Sequence, residues 1–184
     1  MLYDRQGVFI QMIEKGRVMS DSPILLRVDG AVEVPLGVTF EDLNEMPEEA
    51  QVADVSRFQP TRRGDAVSLE ALLSLARPRP SASHITLHAD RDDFHVSIPL
   101  DALREQGLVV YRVGQEPLAV EQGGPIRLLI RDPLSCHSGD LDECANVKYL
   151  SRIELTASRG RDTRPLDDEA HQALHAGINT PEDA

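Results

Sequence analysis

The chain has 184 residues, 41% of them hydrophobic, and a formal net charge of −12. That length suits one domain with a buried core, and 4% aromatic residues with no Trp means that the core is built mostly from Leu, Val, Ile and Ala. An acidic surface repels phosphate backbones and excludes nucleic acid as a general partner; no apolar run is long enough for a bilayer and no secretory signal opens the chain, so a soluble cytoplasmic protein with no membrane contact is expected.

Residues 1–22 read as an arm, in which Val8, Ile10, Met12 and Ile13 suit a strand or short helix added to a neighbour, so that a homodimer is conceivable. Residues 23–157 read as one β-rich domain. Ile24 to Val28 is a strand, Asp29-Gly30 a tight turn, and Ala31 to Val34 the returning strand of a hairpin. Thr39 caps a short helix through Phe40 and Leu43, Val52 to Phe58 is a further strand, and Ser68 caps a helix from Leu69 to Ala76 that Pro78 ends. His84 to His88 and Phe94 to Ile98 alternate as half-buried strands, with a solvated Asp90–Asp93 turn between them. Leu100 to Glu105 is a short helix, Val109 to Val113 a strand, Ile126 to Ile130 a core strand, and Val147 to Thr156 the last strand. Residues 158–184 read as a polar tail, with linker material at Ser158–Asp162 and one short amphipathic helix from Leu166 to Ala176. Many short strands with a few short helices predict an α+β fold with a mainly antiparallel or mixed sheet.

Several fragments fall in a particular order: Leu26-Arg27-Val28-Asp29-Gly30-Ala31-Val32, then Thr39 to Leu43 with Met46-Pro47 behind it, then Ala66-Val67-Ser68-Leu69-Glu70-Ala71-Leu72-Leu73. Ser97-Ile98-Pro99-Leu100, Gly114 to Leu118, Gly123 to Leu128 and Asn146 to Leu155 follow. Each fragment alone is weak. In this order the sequence resembles the oxidoreductase molybdopterin-binding domain family of the sulfite oxidase superfamily. The resemblance implies a sulfite-oxidase-like fold that grips a pyranopterin through backbone groups and basic side chains.

The same resemblance exposes a departure. The family supplies a molybdenum-binding thiolate from a segment like C-V-T-R-W-S, and the matching stretch here is Asp54-Val55-Ser56-Arg57-Phe58-Gln59. Asp54 stands where the cysteine is expected, and a hard carboxylate is a poor substitute for a soft thiolate. Arg57 is kept, Phe58 replaces Trp, and of the two lysines in the family's K-S-V-K-W only Lys148 remains. The implied cofactor-binding positions are therefore Asp54, Arg57 and Lys148, with no residue assigned as catalytic or metal-ligating. Asp54 is either an unusual ligand or base, or a polar residue of a relaxed site. Arg57, Arg62 and Arg63 are either contacts to a cofactor phosphate, whose geometry a guanidinium fork matches, or solvated loop charges. Lys148 either holds the pterin or its phosphate, or points outward from a strand.

Cys136 to Cys144 encloses His137, Asp140 and Glu143, and zinc, a small disulfide loop and two separate thiols all remain open there. His84, His88 and His95 fall on two candidate strands, His84 and His88 share one face, and structural histidines are favoured over a metal site. The expected function is a degenerate, non-catalytic binding module for a small anionic ligand or a protein partner. Molybdopterin is the cofactor the resemblance offers, and the missing thiolate points to none being bound. The alternative is a molybdenum-cofactor-dependent oxidoreductase with altered metal ligation.

Overall fold

The computed structural model describes residues 22–134 and 140–164. The arm up to residue 21, the helix expected at Leu166–Ala176, and Cys136 and His137 of the cysteine loop lie outside the described residues. Two sheets and three short helices make up the described part, an α+β arrangement as the sequence predicted.

The first sheet has the order β2-β1-β10-β5-β6. Its strands are β1 (Leu26–Gly30), β2 (Leu36–Val38), β5 (His84–Ala89), β6 (Phe94–Pro99) and β10 (Arg152–Thr156). The first and last strands, β1 and β10, pair in parallel, and every other contact in this sheet is antiparallel. The second sheet contains β3 (Gln51–Val52), β4 (Asp65–Ser68), β7 (Gly107–Val113), β8 (Glu116–Pro117) and β9 (Arg127–Ile130). Its long strand β7 pairs with β4 on one side and with β8 and β9 on the other.

Both sheets contribute to one core. Val28, Ile85, Leu87, Ile98 and Ile153 come from the first sheet, and Val67, Val109, Tyr111, Leu128 and Ile130 from the second. The opposite face of the second sheet is also covered. There Ala66, Leu108, Val110 and Leu129 pack with Val52 of β3 and with Val55 and Phe58 from the segment after it. Alternation along a strand explains the division, because Leu128 and Ile130 face one cluster while Leu129 faces the other.

The helices form where their caps are. Before α1 (Phe40–Asn44), the Thr39 hydroxyl accepts from the Asp42 N–H at 3.3 Å, and the Asp42 carboxylate accepts from the Thr39 N–H at 2.7 Å. This reciprocal cap satisfies two otherwise orphaned donors and contributes about 1 kcal/mol. Ser68 caps α2 (Leu69–Ala76), whose Leu69, Leu72, Leu73 and Ala76 form one buried stripe. The third helix, α3 (Leu100–Arg104), inserts Leu100 and Leu103 into the same core.

Four local expectations are corrected. Asp29-Gly30 is not a two-residue hairpin turn, since β1 runs through Gly30 and its partner β2 begins only at Leu36. Gly30 instead serves a close approach: its φ is +86°, and a Cβ there would lie 2.2 Å from the Leu155 carbonyl oxygen. Val52 to Phe58 is not a strand, because β3 ends at Val52 and a 3₁₀ turn follows at Val55–Arg57. Val147 to Ser151 is not part of the last strand either; Lys148 and Tyr149 form a bend, and Tyr149 has φ 53°. Finally, the polar stretch after β10 lies back against the edge strand β6. Thr163 N–H donates to the His95 carbonyl at 2.8 Å, and Gly160 N–H donates to the Ser97 hydroxyl at 2.8 Å.

Candidate functional site

The segment after β3 carries Asp54, Arg57, Phe58 and Arg62 over the outer face of the second sheet. Asp54 is left-handed, with φ 51° and ψ 87°. A short polar side chain tolerates this region because it bonds local backbone, and the Asp54 carboxylate accepts from the Ser56 N–H at 3.1 Å. Hydrogen bonds from Ser56, then the charges of Arg63 and Arg57, hold its carboxyl below the usual carboxylate range. Asp54 is exposed, as are Arg57 and Arg63. Its backbone N–H donates to Asp65 at 3.1 Å, which ties the turn to β4.

Phe58 follows and packs against the outer cluster. The guanidinium of Arg57 lies 4.8 Å from its ring centroid and that of Arg131 lies 5.1 Å from it. Gln59 then fastens the segment to β9, donating to the Ile130 carbonyl at 2.7 Å and to Asn146 Oδ1 at 3.3 Å. Asn146 Oδ1 also accepts from the Ile130 N–H at 2.8 Å, so one amide joins the strand, the segment after β3 and the chain before Lys148.

This framework gathers positive charge. Arg127 opens β9 and is only 7% exposed. Burial, then the neighbouring charge of Arg62, pushes its guanidinium down to about 10. Burial, then Arg127 and Arg62, also lowers the Lys148 ammonium from its ordinary value. Gly123 makes room for this lysine: its φ is +90°, and a Cβ there would lie 2.9 Å from Lys148 Cγ. Tyr149 N–H donates to the Gly123 carbonyl at 2.8 Å and fixes the bend.

Three guanidinium groups at this face are incompletely bonded. The Nε atoms of Arg62, Arg127 and Arg131 are buried and meet no acceptor among the described residues. Arg127 does donate from Nη1 to the Gln122 carbonyl at 3.2 Å. A buried donor without a partner costs about 1–3 kcal/mol, more for a charged group. Adjacent like charges add to that cost. A bound anion would offset both terms.

The structure therefore divides the residues singled out in the sequence. Asp54 and Arg57 flank the exposed turn, whereas Lys148 joins Arg62 and Arg127. The strand reading of Lys148 is corrected, since it sits in a bend. Arg127 and Arg131 were missed. Their signal was visible in Ile126-Arg127-Leu128-Leu129-Ile130-Arg131, where arginines bracket the most apolar run of the chain. Cys144 is half-buried, and its partner segment at Cys136 is outside the described residues. Among the described residues no three of His, Cys, Asp and Glu gather to hold a metal ion. None of the described helices is long and apolar enough to cross a membrane.

The profile of the oxidoreductase molybdopterin binding domain matches residues 17–163. The chain belongs to that family. Among solved structures it is similar to the crystal structure of the sulfane dehydrogenase SoxCD from Paracoccus pantotrophus, with 23% sequence identity and a TM-score of 0.53. That match covers 78% of this chain and 41% of that one, so this chain spans less than half of the neighbour's length. The likeness establishes the common fold, in agreement with the sulfite-oxidase-like architecture the sequence implied. No curated protein matches.

The family implies a molybdenum cofactor bound through a phosphorylated pterin, and the residues present fit that group unevenly. Buried, unsatisfied guanidinium groups beside a desolvated ammonium suit a phosphate. The turn at Asp54 offers a hard carboxylate engaged with its own backbone, which does not suit molybdenum held by a soft ligand.

Proposed function

We propose that this domain binds the phosphate-bearing pterin of the molybdenum cofactor, or a similar small phosphorylated ligand, and performs no redox turnover. The observation that carries this reading is the set of unpartnered buried Nε atoms at Arg62, Arg127 and Arg131. Arg62, Arg127 and Lys148 would receive the phosphate. Arg62 N–H donates to the Gln59 carbonyl, Arg127 donates to the Gln122 carbonyl and Lys148 lies against Gly123, so the charges are placed before the ligand arrives, which lowers the ordering cost of binding. Arg57 and Phe58 would border the ligand on the exposed side. With Asp54 in the cysteine's place, no chemistry is assigned to a metal here.

Expression of the full chain in a host that makes the cofactor tests both halves of the proposal. Pterin is measured by fluorescence after oxidative release, and molybdenum by elemental mass spectrometry. Near-stoichiometric pterin with little molybdenum is expected. Absence of pterin, together with no calorimetric binding of inorganic phosphate or a pterin phosphate, would refute the binding role. Near-stoichiometric molybdenum would refute the non-catalytic half and support a second reading, an oxidoreductase with altered ligation. That second reading rests on Asp54 being exposed and ionised.

A further inference from the structure

A chain of titratable groups crosses the outer face of the first sheet, on elements other than those that carry the cationic site. His88 on β5 and His95 on β6 are register partners, with their Nδ1 atoms 2.9 Å apart. His88 Nε2 is 3.2 Å from Glu154 Oε2 on β10. His95 is 5% exposed, and its Nε2 is 2.8 Å from Arg161 Nη1 and 3.1 Å from Asp93 Oδ1. Arg161 also donates from both Nη atoms to Asp93, each at 2.8 Å. Behind Glu154, Arg152 bonds both Glu154 at 3.0 Å and Asp29 on β1 at 2.8 Å.

Counting protons favours one neutral arrangement, which satisfies every contact of the pair except the 3.1 Å approach of His95 Nε2 to Asp93 Oδ1. The short Nδ1···Nδ1 contact requires a single hydrogen between the rings. Glu154 accepts, so His88 Nε2 carries its proton; His88 Nδ1 is then bare and His95 Nδ1 donates to it. His95 Nε2 is left bare and accepts from Arg161. Only two nitrogens can take a further proton. His88 Nδ1 is blocked, because two hydrogens would meet between the rings. The remaining place is His95 Nε2, which would then donate to Asp93 and collide with the Arg161 N–H.

Arg161 belongs to the segment that covers β6. His95 N–H donates to the Thr163 hydroxyl at 2.8 Å, Ser97 N–H to Asp162 at 3.4 Å, and Arg159 to the Ser97 carbonyl at 3.3 Å. Arg164 bonds Asp162 at 2.8 Å and holds the far end. These contacts occupy the outward backbone groups of an edge strand, which otherwise invite pairing with another chain.

We propose that residues 159–164 form an acid-released strap, in which a proton on His95 Nε2 displaces Arg161 and loosens the segment from the edge of β6. Strap docking and proton uptake oppose each other, so by linkage each weakens the other. Docking therefore weakens as this proton is taken up at falling pH. The facing charges set the balance: Arg161 and Arg152 disfavour the added proton, whereas Asp93 and Glu154 favour it.

Hydrogen exchange of the full chain tests the strap. Protection of the Gly160 and Thr163 amides, corrected for intrinsic rates, is expected to fall about tenfold between about pH 8 and about pH 5, while Val109 in β7 keeps its protection. His95→Gln should remove that pH dependence. Arg161→Gln alters an exposed residue and leaves the core intact, and the midpoint of the histidine pair followed by NMR should rise by about one unit in this variant. Equal strap protection at both pH values, or an unchanged midpoint in Arg161→Gln, would overturn the proposal.

Discussion

Arg152, Arg161 and Arg164 each meet a carboxylate at 2.8 Å, whereas the strongest charged neighbour of Arg127 is Arg62, and those of Lys148 are Arg127 and Arg62. The two groups lie on different faces of the same acidic chain. In the first, every guanidinium is neutralised locally, and the charges act as fasteners between β1, β10, β6 and the strap. In the second, positive charge accumulates on a protein of net charge −12, and Asp92 acts on Lys148 more weakly than Arg127 and Arg62 do. Folding alone would favour recruiting one of the 31 Asp and Glu residues to that face. Keeping them out of ion-pair contact is what an anion site requires, because a bonded carboxylate would compete with the ligand.

The comparison predicts opposite responses to the same substitution. Arg164→Met, at a group whose side chain is 11% exposed between Asp162 and Asp142, should destabilise the fold by about 2–4 kcal/mol, somewhat below the cost of breaking a fully buried pair. Chemical denaturation reads that loss, and anion affinity should not change. Arg127→Met should do the reverse. Phosphate affinity by calorimetry should fall roughly 10- to 100-fold, while the ligand-free chain melts at the same temperature or higher. A drop in melting temperature with unchanged affinity would erase the distinction between the two faces.

Lys148 sharpens the contrast through pH. Its ammonium is lowered in the folded state by burial, Arg127 and Arg62. The folded chain therefore binds fewer protons there than the unfolded chain, and the charged lysine is a penalty at neutral pH. That penalty should lift as pH rises through the lowered folded value toward the ordinary one. The ligand-free protein should thus gain stability over that window relative to Lys148→Met, and saturating phosphate should abolish the difference. The smallest effect belongs to the paired face, where Asp29 and Arg152 are about one-third exposed. Asp29→Asn should cost about 0.5–1 kcal/mol by denaturation, with no effect on phosphate binding.

Legibility in the sequence followed how local each signal was. The Thr39 and Ser68 caps and the alternating β5 and β6 strands all act within a few residues, and each was readable. The segment after Val52 was not, because Val55 and Phe58 are apolar for a different reason. They cover the outer face of the second sheet from a 3₁₀ turn. The site was half legible. Lys148 and Arg57 came through family resemblance, but Arg127 looked like an ordinary residue beside an apolar run. Its character depends on Arg62, which is distant in sequence and near in space. The three histidines were visible on two strands, but the His88–His95 pairing depends on the register of β5 and β6, and its contact with Arg161 required the strap to fold back.

The position of β10 has a consequence for how the chain is made. This strand enters the middle of the first sheet, between β1 and β5, although it is the last of the described strands to emerge during synthesis. Until residue 156 leaves the ribosome, the β1–β2 and β5–β6 hairpins have no common partner, and each shows an open edge with apolar residues on one side. Completion of the sheet is then a long-range, late step that closes a loop of over a hundred residues, the slow kind of contact in folding. A nascent chain stalled before β10 would present two open edges to its neighbours, so ribosome-stalled chains ending before Arg152 are expected to aggregate more than chains that include Thr156.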